Sequence, residues 1–327
     1  MTATAPAALS VRDLAVHIPL PGGTVLRAVD GVSLDLRRGE TLGLVGESGS
    51  GKTMTAMAAM RLLEGPLAEA VRGRVLLDGT DLLALSEAAM SDVRGRSLGM
   101  VFQEPMTSLN PVMRIGRQVA EPLGRHLGLS AAEARARAQA MLALVKLPDP
   151  ARAMRLYPHE LSGGMRQRVM IAIALACRPA VLIADEPTTA LDVTIQAQIL
   201  ALMAELQQTL GTAILLITHD LAVIAETAHR VAVMYAGRIV EIAPVEVLFA
   251  APAHPYAQGL LASIPRIERR PAPLLHEIRG SIGDAAGRPG CAFAPRCPRA
   301  APVCAQVPLL EELAPDHLVA CWRPGSG

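Results

Sequence analysis

The chain has 327 residues, of which 51% are hydrophobic and 2% are aromatic. This length suits one large domain and a smaller one, with an aliphatic core in which helices pack on a buried sheet. The formal net charge of +1 argues against an extended nucleic-acid-binding surface. We find no signal peptide and no run of about 18 apolar residues, so we expect a cytosolic chain without a membrane-spanning helix.

Short strands are predicted in the N-terminal part of the chain. Residues 9–40 favour antiparallel strands, because apolar and polar residues alternate over 32–37. An uncharged strand over 41–45 leads into a glycine-rich turn and then into a helix that begins near Lys52. Another short strand is predicted over 100–102.

Helices are predicted through the middle of the chain. Ser130 and Glu133 form a capping-box pattern ahead of an Ala-rich helix. Asp192 and Gly211 predict the start and the end of a long helix. Three apolar segments of this half are predicted strands: 181–184, 213–217 and 231–234. The alternation of strands and helices predicts an α/β fold with a mostly parallel sheet.

The composition of the sequence changes after about residue 250, where proline becomes frequent and the helical periodicity of apolar residues is lost. We predict a main domain over residues 1–250, with a helical subdomain at about 105–178. Residues 251–327 are predicted to form a small, loop-rich extension.

The segment GESGSGKT fits the P-loop pattern and has the required strand before it and helix after it. Glycines let backbone N–H groups curl around phosphate oxygens, and the helix dipole attracts the same anion. Lys52 is predicted to reach the β- and γ-phosphates and the Thr53 hydroxyl to bind Mg²⁺. The predicted ATP-binding residues of this loop are Gly46, Glu47, Ser48, Gly49, Ser50, Gly51, Lys52 and Thr53.

Polar residues follow three of the predicted strands, at the edge where ligands bind in open α/β sheets. Asp185 is predicted to hold Mg²⁺, and Glu186 to polarise the attacking water as a general base. His219 is predicted to contact the γ-phosphate and to orient Glu186 or the water. Gln103 is predicted to ligate Mg²⁺ or to sense the nucleotide.

A second glycine pair lies in the segment LSGGMRQR, at the start of another helix. Ser162, Gly163 and Gly164 therefore form a second candidate phosphate-binding helix N-terminus. Nothing in a single chain explains how two such helix ends could share one γ-phosphate.

In this order, the motifs resemble those of ABC transporter ATPase subunits, over roughly residues 9–250. The resemblance implies a mixed sheet core, an antiparallel β subdomain and a helical subdomain. It also implies a head-to-tail dimer in which each Ser162–Gly164 signature covers the partner's ATP, with the Ala190–Asp192 turn crossing the interface. Many relatives stack an aromatic side chain on adenine, whereas this chain has Val16-His17-Ile18. Stacking is expected to be weaker or to come from His17.

Three further stretches narrow the resemblance to oligopeptide and dipeptide importers: FQEPMTSLNP at 102–111, YPHE at 157–160 and HPY at 254–256. The resemblance implies a second, paralogous ATPase subunit, two permease subunits and an extracytoplasmic substrate-binding protein. It places the chain peripherally on the cytoplasmic face of the inner membrane, with Gln103–Pro111 lining the groove for a permease helix. No nucleic-acid partner is expected.

Several alternatives remain open at this point. The same subfamily includes importers of nickel, glutathione and other small solutes. A soluble ABC ATPase acting on nucleic acid or ribosomes is a rival hypothesis, although the near-zero net charge argues against it. A redox protein with a regulatory ATPase is another.

Four cysteines are clustered near the end of the chain with the spacing C-x5-C-x6-C-x16-C: Cys291, Cys297, Cys304 and Cys321. Four thiolates suit either a 4Fe-4S cluster or tetrahedral zinc. The absence of a tight C-x2–4-C pair favours the 4Fe-4S cluster, and similar tails in peptide-importer ATPases support it. Unligated cysteines are the alternative. We expect the cluster to staple a coreless tail rather than to sense redox state.

Overall fold

The structure, a computed structural model, describes residues 7–104, 108–189, 191–263, 278–285 and 289–325. It divides into two compact units. The first comprises the described residues of Met1–Leu9, Leu36–Glu40 and Ala84–Leu216. The second comprises those of Ser10–Asp35, Thr41–Leu83 and Ile217–Gly327.

Strands and helices alternate along much of the described chain. The strands are β1 (Ala7–Pro19), β2 (Val25–Arg37), β3 (Thr41–Val45), β4 (Val71–Leu77), β5 (Thr80–Asp81), β6 (Leu98–Val101), β7 (Val181–Asp185), β8 (Ala213–Ile217), β9 (Arg230–Tyr235), β10 (Arg238–Pro244), β11 (Glu311–Ala314) and β12 (His317–Val319). The α-helices are α1 (Lys52–Ala59), α2 (Pro66–Glu69), α3 (Glu87–Val93), α4 (Ile115–Leu127), α5 (Ala131–Leu144), α6 (Pro150–Ala153), α7 (Gly163–Leu175), α8 (Val193–Leu210), α9 (Leu221–Thr227), α10 (Val245–Ala250) and α11 (Pro255–Ala262). Short 3₁₀ turns cover Leu82–Ala84, Pro158–Glu160, Ile282–Ala285, Ala294–Arg296 and Pro302–Ala305.

The second unit contains two series of β-strands. One sheet has the strand order β2-β1-β4-β5, with β4 and β5 antiparallel. Another series of strands runs β11-β12-β10-β9-β3. In this series β3 and β9 are parallel, whereas β9 pairs with β10, and β10 with β12, in antiparallel fashion. The sheet is therefore mixed, as predicted.

The first unit carries the long helices together with the strand order β8-β7-β6. Strand β7 is buried along its whole length, and it pairs with β6 in parallel. The predicted capping box of Ser130 and Glu133 is present at the start of α5. Asp192 caps α8, and Gly211 ends that helix in the left-handed conformation, as predicted.

The extension has a better-defined core than we expected. Strands β12 and β11 lengthen the mixed sheet beyond β10. Tyr256 is fully buried, and Phe293 and Val319 are nearly so. The expectation of a coreless tail is therefore wrong, because apolar side chains far apart in sequence pack together. The domain boundary near residue 250 stays a prediction.

The predicted α/β fold class is confirmed by the strands and helices of both units. Within the residues described above, no helix has both the length and the apolar character that crossing a membrane requires.

Candidate nucleotide-binding site

The P-loop of the second unit packs tightly against neighbouring backbone. A Cβ atom added at Gly46 would lie 2.1 Å from the carbonyl oxygen of Met234 on β9. A Cβ atom at Gly51 would lie 2.3 Å from the carbonyl oxygen of Ala28 on β2. Backbone cannot give way as a flexible side chain can, so only glycine fits at either position.

Lys52 is buried at the N-terminus of α1. Its ammonium group donates to the carbonyl oxygen of Gly46 at 2.8 Å, to that of Glu47 at 3.0 Å and to the Ser50 hydroxyl at 3.5 Å. The charge is therefore held within the loop by the loop's own backbone. Together with the positive end of the α1 dipole, it makes this segment suited to an anion.

The two consecutive carboxylates lie in the first unit, at the end of β7. Asp185 is only 2% exposed. The Glu186 carboxylate accepts hydrogen bonds from the Gln103 amide at 2.9 Å and from the Thr189 hydroxyl at 3.0 Å. Glu186 has a φ of +46°, a strained conformation for a residue with a side chain. The structure thus brings together Gln103 and Glu186, two predicted site residues that are 83 positions apart in sequence.

The signature segment also lies in the first unit. Ser162 caps α7 by accepting a hydrogen bond from the Met165 N–H at 3.4 Å, and both Ser162 and Gly163 are exposed. A Cβ atom at Gly164 would lie 2.7 Å from Cγ2 of Ile195, so the starts of α7 and α8 pack closely.

Two predicted features lie outside the described residues: Ala190 of the interface turn and positions 105–107 of the Gln-loop stretch.

Two histidines were singled out in the sequence, and both belong to the second unit. His219 is exposed and lies between the end of β8 and Asp220, which caps α9. The ring of His17 lies 2.9 Å from the carboxylate of Asp30, and the side chain is 39% exposed. Its ring is thus fixed by Asp30, while part of its surface remains accessible.

The four cysteines, all described, gather in the second unit. Two of their sulfur atoms accept hydrogen bonds from the backbone N–H two residues ahead: Cys297 from Arg299 and Cys321 from Arg323, both at 3.4 Å. The N–H of Cys291 donates to the carbonyl oxygen of Cys304 at 2.9 Å. N–H donors of this kind stabilise ligating thiolates and tune metal–sulfur centres. The donor set therefore fits a thiolate-ligated group.

The spacing of these side chains does not match a single metal ion. Across the described ranges, no group of three or more His, Cys, Asp or Glu side chains converges as the ligands of a metal ion would. Neither the zinc alternative nor the 4Fe-4S cluster gains support from this geometry, and the cluster stays a prediction. Burial is the main cause that raises the pKa values of Cys291, Cys297 and Cys321, so binding would have to release protons.

A set of contacts joins the extension to the P-loop, and no pattern in the sequence predicts them. The Tyr256 hydroxyl accepts a hydrogen bond from the backbone N–H of Glu47 at 2.9 Å. The Arg296 guanidinium donates to the Glu47 carboxylate at 3.0 Å. These partners are 209 and 249 positions apart. Only the glutamate inside a phosphate-binding loop could have suggested that a cation lies nearby.

Comparisons with known proteins agree with the motifs. The ABC transporter family model matches residues 29–189, and the model described as oligopeptide/dipeptide transporter, C-terminal region, matches residues 240–304. A probable peptide ABC transporter ATP-binding protein, y4tR of Sinorhizobium fredii, is 53% identical over 96% of this chain and 94% of its own. The oligopeptide transport ATP-binding protein OppD of Escherichia coli is 49% identical over 98% of this chain and 94% of its own.

The chain belongs to the ATP-binding subunits of peptide ABC transporters. A solved cassette of the ABC transporter family, the dimeric MJ0796 in a post-hydrolysis state with ADP and phosphate, matches with a TM-score of 0.63. It is 28% identical and covers 72% of this chain and 98% of its own. The predicted family, fold class and ATPase class are therefore confirmed for this ABC subunit. The individual roles of the site residues stay predictions.

Proposed function

We propose that this ABC subunit hydrolyses ATP to drive the import of oligopeptides or dipeptides across the bacterial cytoplasmic membrane. The hydrolytic part of the proposal depends above all on the Glu186 carboxylate, which Gln103 and Thr189 hold directly after the buried Asp185. Peptide cargo is supported by the close similarity to oligopeptide transport ATP-binding proteins, which includes the extension.

The residues present suit the steps of phosphoryl transfer to water. The P-loop N–H groups and Lys52 bind the phosphates of ATP and neutralise their charge. Thr53, Asp185 and Gln103 are the candidates for holding Mg²⁺, which would neutralise negative charge on the phosphates. Glu186 takes the proton of the attacking water, and His219 orients the water or the carboxylate.

The exposed signature supports the proposal that the active unit is a pair of cassettes. Ser162 and Gly163 present the start of α7 to the surface, where a second subunit can supply the nucleotide. We infer that the second subunit is a paralogous ABC ATPase and that the two signatures each cover the partner's ATP. Binding of ATP then favours the closed pair through contacts made only in that state.

The transport complex would contain two permease subunits and an extracytoplasmic substrate-binding protein. The chain would lie on the cytoplasmic face of the membrane, held there by the permeases. The segment Gln103–Pro111 would line the groove that receives a permease helix, so the nucleotide-sensing Gln103 and the permease contact lie on one short stretch.

Reconstitution tests the transport proposal directly. The chain, its partner ATPase and both permeases are placed in liposomes that hold ATP inside, and labelled peptide is added outside with the binding protein. We expect peptide uptake with the unmodified chain and no uptake when the chain carries Glu186→Gln. Uptake of Ni²⁺ or glutathione but not of peptide would assign a different cargo, and ATP hydrolysis stimulated only by RNA or DNA would contradict transport.

We also propose that Cys291, Cys297, Cys304 and Cys321 hold a 4Fe-4S cluster. The proposal is supported by the N–H···S hydrogen bonds to Cys297 and Cys321 and by the all-thiolate donor set. When bound, the cluster would cross-link the four segments of the extension that carry these residues.

Metal analysis tests the cluster. Protein purified without oxygen should be brown and contain about four irons per chain, and Cys297→Ser should remove the colour. One zinc per chain and no iron would show that the four cysteines hold a structural zinc ion instead of the cluster. The absence of both metals, with four freely alkylated thiols in the native protein, would contradict both.

A further inference from the structure

The C-terminal extension contacts the P-loop at three places within the second unit. Tyr256, at the start of α11, accepts the Glu47 N–H, and Arg296 pairs with the Glu47 carboxylate. The third contact is apolar, because Ile282 lies 3.8 Å from the position of a Cβ atom at Gly49. The first half of the phosphate-binding loop is therefore held by residues more than two hundred positions away.

Arg296 is positioned by several independent contacts. Its Nε and Nη2 atoms donate to the carbonyl oxygens of Arg279 and Ile278, at 2.8 and 3.0 Å. Its guanidinium lies over the ring of Tyr235, 5.7 Å from the centroid, and donates to that residue's hydroxyl at 3.4 Å. The side chain is only 4% exposed. A guanidinium fixed in this way needs little further ordering to pair with Glu47.

Tyr256 is held in an aromatic cluster. Its ring centroid lies 4.7 Å from that of Tyr235 and 5.4 Å from that of Phe293. Burial raises the pKa of Tyr256 above its ordinary value, so the hydroxyl remains protonated and neutral at physiological pH. The acceptor for the Glu47 N–H is thus as rigid as the guanidinium beside it.

The negative charge of Glu47 would oppose nucleotide binding unless Arg296 neutralised it. A carboxylate within a loop that binds a triphosphate repels the ligand, and the repulsion is strong where solvent screening is incomplete. The Glu47 side chain is 29% exposed, so water screens it only partly. A guanidinium bonded to it removes most of the net charge and holds the carboxylate on the side of the extension.

We propose that Arg296 and Tyr256 are positioning residues for the nucleotide-binding loop, which neutralise and hold Glu47 and thereby set the affinity for ATP. Neither residue is assigned a contact with the nucleotide. Arg296 directly precedes Cys297 in the chain, so the position of the guanidinium depends on the fold of the four-cysteine segment. The proposal rests on the ATP-binding function proposed above.

A double-mutant cycle tests the proposal. Binding of Mg²⁺ and a fluorescent, non-hydrolysable ATP analogue is measured for the full chain, for Arg296→Ala, for Glu47→Gln and for the double variant. Arg296→Ala should raise the Kd about tenfold, the scale of one hydrogen bond to a charged group. In the Glu47→Gln background, where no carboxylate remains to be neutralised, the same change should raise the Kd less than about threefold.

Arg299→Ala is the matched control, because Arg299 lies on the same segment but donates to Gln258 instead of the P-loop. Its Kd should equal that of the unmodified chain. In ATPase assays Arg296→Ala should raise KM with kcat unchanged, whereas a general loss of folded protein would lower kcat alone. An equal effect of Arg296→Ala in both backgrounds would overturn the proposal.

The variant Tyr256→Phe lacks only the hydroxyl oxygen and keeps the aromatic ring. Its Kd provides a second test if Arg296→Ala does not fold. Its Kd should rise about threefold, the scale of one neutral hydrogen bond. An unchanged Kd in both Tyr256→Phe and Arg296→Gln, which removes the charge that neutralises Glu47, would also overturn the proposal. If the unmodified chain does not bind the analogue, the proposed ATP-binding function is wrong. That outcome is distinct from unchanged affinities in the variants, which would contradict only the role of Arg296 and Tyr256.

Discussion

Glu186 has a strained backbone conformation and a side chain that is held in place by hydrogen bonds. Its positive φ is unfavourable, and the carboxylate is held by hydrogen bonds from Gln103 and Thr189. A general base held in one orientation needs no rearrangement when a water molecule approaches. The sequence predicted Gln103 and Glu186 as separate candidates, and the structure joins them.

Replacing Glu186 by Gln should abolish turnover while ATP binding persists. The amide keeps the shape and the hydrogen bonds of the side chain but cannot accept a proton, and loss of a general base typically costs about 10²–10⁴-fold in rate. Phosphate release and nucleotide binding are measured on the same preparation. Glu205→Gln, an exposed glutamate of the same unit, serves as the control. Turnover above a few per cent would argue strongly against the general-base role.

The contacts of the extension with its neighbouring elements are organised by one buried carboxylate. Glu241 on β10 is fully buried and accepts hydrogen bonds from the backbone N–H groups of Ala253 and His254. The ring of His317 on β12 lies 2.8 Å from the same carboxylate. One side chain therefore links β10, β12 and the segment that leads into α11. Its role has no signature in the sequence, because a glutamate within a strand is usually exposed.

The start of α11 should make the extension sensitive to acid. His254 caps this helix by accepting the Tyr256 N–H on Nδ1, and burial lowers the pKa of His254 to about 3. In the unfolded chain a histidine titrates near 6.5. The stability from this group is therefore complete above about pH 6.5 and is lost as the pH falls toward 3, by about 2 kcal/mol at pH 5.

The variant His254→Asn isolates this effect, because asparagine also caps helices and does not titrate in this range. Melting temperatures of both proteins are measured between pH 7 and pH 4.5. The unmodified chain should lose stability more steeply than the variant. Parallel curves would show that His254 does not contribute to the acid sensitivity.

On the scale of the whole molecule, two segments are predicted to bind nucleotide. The P-loop lies in the second unit, and the Ser162–Gly164 signature, whose first two residues are exposed, lies in the first. The pairing of two cassettes proposed above would bring each signature to the nucleotide of the other subunit.

The purified chain alone should be largely monomeric and weakly active. In the proposed composite site a partner's signature completes each nucleotide site, so the specific ATPase activity should rise with protein concentration and rise further when the partner ATPase is added. Sedimentation velocity and steady-state rates over the same concentration range check both points. Full activity that is strictly proportional to the concentration of a monomer would contradict the composite site.

The candidate residues for phosphate binding and water activation could be recognised in the sequence, for a physical reason. A phosphate-binding loop needs consecutive backbone N–H groups and glycines, and a strand-end carboxylate pair needs an uninterrupted apolar strand before it. Both requirements fall on neighbouring positions, so GESGSGKT and LIADE carry them in full. The same holds for helix caps such as Ser130 and Asp192.

The pairing of Arg296 with Glu47, the buried Glu241 and the core of the extension were decided only by the tertiary structure. Each depends on side chains that the fold brings together from distant parts of the chain: Glu47 follows β3, Glu241 lies on β10, and their partners belong to the extension. Charge and hydrophobicity act over a few ångströms of space and not over positions in a chain. Partners hundreds of residues apart therefore leave no local pattern from which the contact could be predicted.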